Sequence, residues 1–134
     1  MEPAIRKIFL ESETIAVVGC SSNPEKPAHY VPKYLQQNGY KIIPINTTAE
    51  EILGEKCYKK ISDVKEKVDI IGIFRPSKEC LEVVNDSLKI KPKLIWMQSG
   101  IVNEDVKKLA EEQGIQVVMD RCMMVEHRKL VVGK

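Results

Sequence analysis

The run Ile15–Gly19 (IAVVG) decides the fold that this sequence predicts. It is apolar throughout and ends in glycine, which is typical of a strand buried on both faces of a parallel sheet. A polar loop follows at residues 20–26, and apolar side chains then recur at helical spacing over residues 30–35, with Gly39 as a C-terminal cap. Pro32 is expected in the first turn of this helix, because deeper in the helix it would remove a hydrogen bond.

Four further apolar runs have the length of buried strands, at residues 41–46, 68–74, 93–97 and 115–119. Helices fit at about residues 78–89 and 103–113, and Asn103 is a suitable N-cap for the second. Residues 50–63 fit a short helix or an extended connection, and residues 121–130 fit a final short helix. The pattern predicts an α/β fold: one three-layer, doubly wound parallel sheet, Rossmann-like, of about five strands.

Composition and charge exclude several classes of protein. The 134 residues are 43% apolar and 30% charged, which suits one domain over residues 1–134 with its own core. The net charge of +2 is too small to indicate a nucleic-acid-binding surface. No apolar run approaches the ~20 residues of a membrane span, and the first ten residues mix charged and apolar side chains, unlike a signal peptide. The four cysteines form no CxxC pair, so we expect a reduced, cytoplasmic protein.

Ligands of an open parallel sheet bind at the carboxyl ends of its strands. The loop Gly19–Pro24 after the first strand is rich in small and hydroxyl residues, so its N–H groups can approach an anion near a helix N-terminus. The full GxGxxG pattern is missing, and an ordinary tight turn is the alternative. A side chain at Gly19 would fill the space of the anion, and Gly19→Val is expected to fold without binding.

The second and third strand ends favour a phosphorylated ligand. NAD-binding domains have an acidic residue after the second strand, which binds the ribose hydroxyls. Here that segment is neutral: Asn46, Thr47 and Thr48. A neutral end disfavours NAD and suits a ribose that carries a phosphate. Arg75 follows the third strand, and its guanidinium can pair with a phosphate. The alternative is a solvated Arg75 next to a serine, Ser77, that caps the following helix.

Catalytic and metal-binding groups are few. Cys122, Glu126 and His127 are close in sequence, but no second ligand pair accompanies them, which favours a structural role. We therefore expect no metal site and no catalytic residue. Cys20 is expected to be a small buried side chain rather than a reactive thiol.

Motifs at the strand ends resemble, in order and over nearly the whole chain, those of a known family. These are the small stand-alone coenzyme-A-binding proteins related to the CoA-binding domain of succinyl-CoA synthetase alpha subunits. The family usually has Ala at Cys20, Pro at Thr47 and Ser-Tyr at residues 28–29. The matching motifs are IAVVGCS (15–21), GYKIIPIN (39–46), ILG (52–54), VDI and FRPS (68–77), WMQSGI (96–101), VVMDRC (117–122) and Glu126-His127.

The resemblance implies that the ligand is coenzyme A or an acyl-CoA, bound by a non-catalytic carrier or regulatory protein. It implies a pyrophosphate over Gly19–Ser22, an adenosine beside Asn46 and Thr47, and a pantetheine arm that runs toward the fourth and fifth strand ends. The expected site residues are Gly19, Cys20, Ser21, Ser22, Lys26, Tyr30, Asn46, Thr47, Phe74, Arg75, Pro76, Ser77, Gln98 and Gly100.

Two other functions stay open. The chain could be a thiol-dependent redox or acyl-transfer enzyme that uses Cys20 or Cys122 with CoA, or a subunit of a split acyl-CoA ligase. Its partner would then be a ligase-type protein or a second copy of the chain. The third function is an NADP-binding module, which the missing acidic residue favours and the incomplete glycine pattern opposes.

Overall fold

The structure, a computed structural model, describes residues 2–133. No helix in this range has the length and apolar content that crossing a membrane would require. Short 3-10 turns cover Ser77–Glu79 and Leu88–Ile90, and a π-helical turn covers Arg128–Val132. The helices are α1 (Glu2–Glu11), α2 (Pro27–Gln37), α3 (Cys80–Ser87), α4 (Glu104–Glu112) and α5 (Met123–His127). The strands are β1 (Thr14–Val18), β2 (Lys41–Ile45), β3 (Glu51–Ile52), β4 (Glu55–Lys56), β5 (Ile70–Ile73), β6 (Leu94–Met97) and β7 (Gln116–Val118).

Five strands form one parallel sheet in the order β2-β1-β5-β6-β7. Val18 pairs with both Ile45 and Ile73, and Ile73 pairs with Met97, so four strands end in one row. Successive strands are added to one side of β1 up to β2 and to its other side from β5 onward, so the strand order reverses between β1 and β5. Sheets of this kind bind ligands at that switch point. The predicted doubly wound α/β fold is confirmed.

Helices cover both faces of the sheet, and each face has its own core. Ile15 and Val17 of β1 pack on the side of α1, α2 and α5, where Phe9 and Trp96 are buried. Ala16 and Val18 point to the side of α3 and α4. This alternation buries both faces of β1, as its unbroken apolar run predicts.

Helix α1 was not predicted from the sequence. Ile5, Ile8 and Phe9 have the i, i+3, i+4 spacing of an apolar helix face, and all three are buried. The hydroxyl of Tyr40 donates to the carbonyl of Phe9 at 2.6 Å, which fixes the end of the helix beside β2. Burial of an aromatic side chain such as Phe9 stabilises the fold by about 1.5–3 kcal/mol.

Residues 50–63 contain no helix of ordinary length. β3 and β4 pair as a short antiparallel hairpin, and a 3-10 turn covers Ile61–Asp63. Between them Tyr58 forms a parallel bridge with Ile45 of β2. The N–H of Tyr58 donates to Pro44 O at 3.0 Å, and the N–H of Asn46 donates to Tyr58 O at 2.9 Å. The extended alternative is therefore the one that the structure has.

The expectation for Pro32 is wrong, because α2 begins at Pro27 and places Pro32 in its second turn. A proline there leaves the carbonyl of residue 28 without its helical donor. The N–H of Ser21, in the loop after β1, donates to this Ala28 carbonyl at 3.0 Å. The missing helical bond is thus replaced by one that fastens the loop to the helix.

His127 is buried among aromatic side chains. Its ring makes edge-to-face contacts with Phe9, Tyr34 and Tyr40, and the Tyr34 hydroxyl lies 2.8 Å from Nδ1. Burial lowers its pKa from the ordinary 6.5. The structure supports the structural role predicted for this residue.

Acid should destabilise the protein through His127. Between the lowered pKa of the folded state and the ordinary 6.5 of the unfolded state, the unfolded chain binds more protons, so stability falls as the pH drops below 6.5. Melting temperatures of the wild type and of His127→Gln across this range should show a smaller acid loss in the variant. Equal losses, or an NMR titration in which His127 protonates at its ordinary pKa, would contradict this account.

Candidate functional site

A polar cleft of about 470 Å³ opens at the carboxyl ends of β1, β2 and β5. It lies at the switch point of the sheet, where the strand ends predicted the site. Eight of the predicted site residues line it: Gly19, Cys20, Ser21, Lys26, Asn46, Thr47, Phe74 and Arg75.

Gly19 lines this cleft, and its position admits no residue with a side chain. It has a φ of +85°, and a Cβ there would lie 2.7 Å from the carbonyl oxygen of Phe74 and 3.0 Å from Cδ of Arg75. The glycine is thus required by the close approach of two strand ends. This corrects the expectation that Gly19→Val folds normally, since the valine would collide with backbone before any ligand arrived.

The loop after β1 is held by its own hydrogen bonds. Besides the bond from Ser21 N–H to Ala28, the Ser21 carbonyl lies 2.7 Å from Nδ1 of His29. The Ser21 hydroxyl accepts from the N–H of Asn23 at 3.0 Å. Within residues 2–133, the N–H groups of Cys20 and Ser22 have no hydrogen-bond acceptor, and the N–H of Cys20 is a free donor at the cleft.

Asn46 joins two loops through its side chain. Its amide nitrogen donates to the carbonyl of Cys20 at 2.9 Å, and its oxygen accepts from the N–H groups of Thr48 and Ala49, each at 2.8 Å. The amide group therefore shapes the rim of the cleft and is already satisfied by protein partners.

Three cations and one carboxylate line the polar cleft: Lys26, Lys59, Arg75 and Glu79. Arg75 donates through Nε and Nη2 to one oxygen of Glu79, at 3.0 and 2.7 Å. Both side chains are exposed, and an exposed i, i+4 pair of this kind contributes only about 0.3–0.5 kcal/mol. A phosphate can displace Glu79 at little cost.

A second cavity of about 520 Å³, mostly apolar, continues from the first. The two share Lys26, Ala28 and Phe74. Tyr30 and Gln98 are the other predicted residues that line it, and Cys122 lies in its wall. The remaining lining residues are Pro27, Val31, Ser99, Ile101, Met124 and Val125.

Four predicted site residues line neither cavity: Ser22, Pro76, Ser77 and Gly100. The Ser77 hydroxyl accepts from the N–H of Val102 at 3.0 Å and does not cap the helix after it. The N–H of Gly100 donates to a carboxylate oxygen of Asp120 at 2.7 Å. Ser77 and Gly100 therefore connect neighbouring loops of the site.

Lys59 and Glu79 were missed by sequence reasoning, as were the cavity-lining residues of α5. Lys59 reaches the cleft because the preceding Tyr58 forms a bridge with β2. The residues around Tyr58 contain no apolar run long enough to predict a strand. Glu79 was detectable as a carboxylate four residues after Arg75. Met124 and Val125 were assigned to a tail helix without a place in the site.

The four cysteines are free thiols with different surroundings. The pKa of Cys20 is raised to about 12, mainly by burial and to a smaller extent by the neighbouring Cys57, so this thiol stays protonated. Burial also raises the pKa of Cys57 and Cys80. Cys122 is only half-buried, at the wall of the apolar cavity. Among residues 2–133, no three His, Cys, Asp or Glu side chains are grouped as a metal site.

Residues 13–128 match the family model described as the CoA binding domain. The chain belongs to this family. The family resemblance of its strand-end motifs is thereby confirmed, and the two connected cavities occupy the matched region.

Relatives of this CoA-binding domain occur alone and within larger enzymes. The uncharacterized protein YneT of Bacillus subtilis is 37% identical over 123 residues, which cover 92% of this chain and 91% of YneT. The ADP-forming acetate–CoA ligase II of Archaeoglobus fulgidus is 33% identical over 128 residues, covering 86% of this chain and 19% of the ligase. A solved structure, cell-free ID.343 from Thermus thermophilus, is 41% identical with a TM-score of 0.92, covering 97% of this chain and 98% of that one.

Native protein should present one rapidly reactive thiol, because Cys122 is the one cysteine of the four that is not buried. Titration with a chromogenic disulfide reagent should modify about one thiol per chain at once, and all four only after unfolding. The matched variants are Cys122→Ser, which should remove the fast phase, and Cys20→Ser, which should leave it intact. A fast phase that Cys20→Ser abolishes would show that Cys20 is exposed.

Proposed function

We propose that this CoA-binding domain binds coenzyme A or an acyl-CoA as a non-catalytic carrier or regulatory protein of the cytoplasm. The observation that carries the proposal is the pair of connected cavities, one polar and cationic and one apolar. Coenzyme A has the same division, since a charged nucleotide is joined to a long, mostly uncharged pantetheine arm. NAD and ATP lack this second half.

The polar cleft suits the phosphates of the nucleotide. The free N–H group of Cys20 borders it beside the N-terminus of α2, an eleven-residue helix whose dipole favours negative charge there. The Cδ atom of Arg75 lies close to Gly19, and on this proposal its guanidinium exchanges Glu79 for the diphosphate. Lys26 stands where the two cavities meet and would face the diphosphate from the other side.

The apolar cavity suits the pantetheine arm and a small acyl group. Tyr30, Val31 and Ile101 supply apolar surface, while Gln98 and Ser99 offer polar atoms to the amides of the arm. The Gln98 oxygen already accepts from the N–H of Met123 at 3.1 Å, which leaves the amide nitrogen for a ligand.

A binding role is supported by the chemistry of the nearest reactive groups. Cys20 is held protonated, and His127 is buried against Tyr34 away from the cleft. The ligase suggests a second role, as a subunit that interacts with separate ligase domains. This chain matches only 19% of that enzyme, so those domains would be supplied by a partner. Thiol chemistry with CoA is the second candidate, and the position of Cys122 in the apolar cavity favours it.

Calorimetric titration with CoA, acetyl-CoA, NAD, NADP and ATP tests the proposal. CoA and acetyl-CoA should bind more tightly than the three nucleotides, since only they carry a pantetheine arm for the apolar cavity. Tighter binding of NAD than of CoA would refute the proposed ligand. The second candidate is tested by incubating the protein with CoA disulfide and measuring its mass. Thiol chemistry predicts a CoA adduct on Cys122, and an unmodified Cys122 would refute it.

Arg75→Ala should weaken CoA binding by ~10–100-fold, because a charge-assisted contact to a phosphate is lost. The melting temperature should change little, as Arg75 is exposed. Arg75→Lys should restore part of the affinity, since a point charge does not reproduce the guanidinium fork. Glu79→Gln is the matched control and should tighten binding about twofold by releasing Arg75. Unchanged affinity in Arg75→Ala would make Arg75 a solvated surface residue.

A further inference from the structure

We infer that Lys59 binds the phosphate on the ribose of the nucleotide and so makes the site selective for coenzyme A over its dephospho form. The inference rests on the proposed function, because it assigns one group of that ligand to one residue. It is supported by the backbone position of Lys59, the charges near its ammonium group, the hydrogen bonds of Asn46 and the order of the two cavities.

Lys59 reaches the cleft through the backbone. Tyr58 pairs in parallel with Ile45, and Asn46 N–H donates to Tyr58 O at 2.9 Å. Since paired parallel segments run toward the same edge of a sheet, the residue after Tyr58 emerges beside the residues after β2. Lys59 therefore lies next to Asn46 and Thr47 at the rim of the cleft.

Lys59 brings positive charge to the end of β2. Within residues 2–133, its ammonium group has no carboxylate within ion-pair distance, in contrast to Arg75, which is bonded to Glu79. A doubly charged phosphate is the ligand group that such a cation attracts most strongly.

Asn46 occupies the position at which NAD-binding domains place the acidic residue for the ribose hydroxyls. Its amide is engaged with Cys20, Thr48 and Ala49, so it offers no acceptor to a ribose. A ribose diol therefore finds no carboxylate acceptor at this position, whereas a ribose phosphate finds the ammonium group of Lys59.

The order of the cavities selects the phosphate. The apolar cavity joins the polar cleft at Lys26 and Phe74, and Lys59 and Thr47 line only the polar cleft. Along CoA the sequence of groups is pantetheine, diphosphate, then ribose with its 3′-phosphate. With pantetheine in the apolar cavity and the diphosphate between Lys26 and Arg75, the ribose phosphate falls toward β2 and Lys59.

The test is calorimetry of CoA and 3′-dephospho-CoA with wild type, Lys59→Gln and the control Lys60→Gln. Lys60 is an exposed lysine next in sequence that does not line the cleft, and its loss gives the same change in net charge. Wild type and Lys60→Gln should bind CoA about tenfold more tightly than dephospho-CoA. Lys59→Gln should lose this preference while its affinity for dephospho-CoA stays unchanged, and Lys59→Arg should regain it.

Different failures give different results. Equal weakening of both ligands by Lys59→Gln, or a preference that survives in that variant, would overturn the inference and leave the proposed function standing. Failure of wild type to bind either ligand would remove the proposed function and the inference together. Adenosine 2′,5′-bisphosphate binding more tightly than the 3′,5′ isomer would assign Lys59 to an NADP-type phosphate and also overturn the inference.

Discussion

The close approach of Gly19 to the carbonyl of Phe74 is the constraint on which the site depends. A Cβ at Gly19 would lie 2.7 Å from that oxygen, and the backbone there has the left-handed φ of +85°. The contact sets the ends of β1 and β5 side by side at the point where the strand order reverses. As a result, the loop from Cys20 and the side chain of Arg75 enter one cleft, although they are far apart in sequence.

Much of the fold could be predicted from local patterns. The five strands of the sheet and helices α2 to α5 follow from apolar runs and helical spacing, and Asn103 caps α4 by accepting from Val106 N–H as expected. Three features depended on contacts between distant segments. Helix α1 is stabilised by packing of Phe9 against Trp96, the Tyr58 bridge needs β2 as its partner, and Pro32 is tolerated because Ser21 supplies the missing donor.

The candidate site, like the fold, was predictable where local patterns decide it and not where distant contacts do. Residues directly after a strand, such as Gly19, Asn46 and Arg75, line the cleft to which the strand-end argument assigned them. Neighbouring residues such as Ser77 and Gly100 are used instead to tie adjacent loops. Lys59 escaped prediction because a single bridge, with no apolar run of its own, brings it to the sheet. Strand ends thus predict where a site lies, while tertiary contacts decide which side chains are free within it.

The two connected cavities lie within the region that matches the CoA binding domain. The polar part is built by the turn at Gly19 and the cations around it, and the apolar part by α2, α5 and the loop after β6. A crystal structure of the protein grown with CoA tests this account most directly. It should show the diphosphate beside Gly19 and Arg75, with the pantetheine arm in the cavity that contains Cys122. CoA bound away from the switch point, or with its pantetheine arm outside the apolar cavity, would contradict the account.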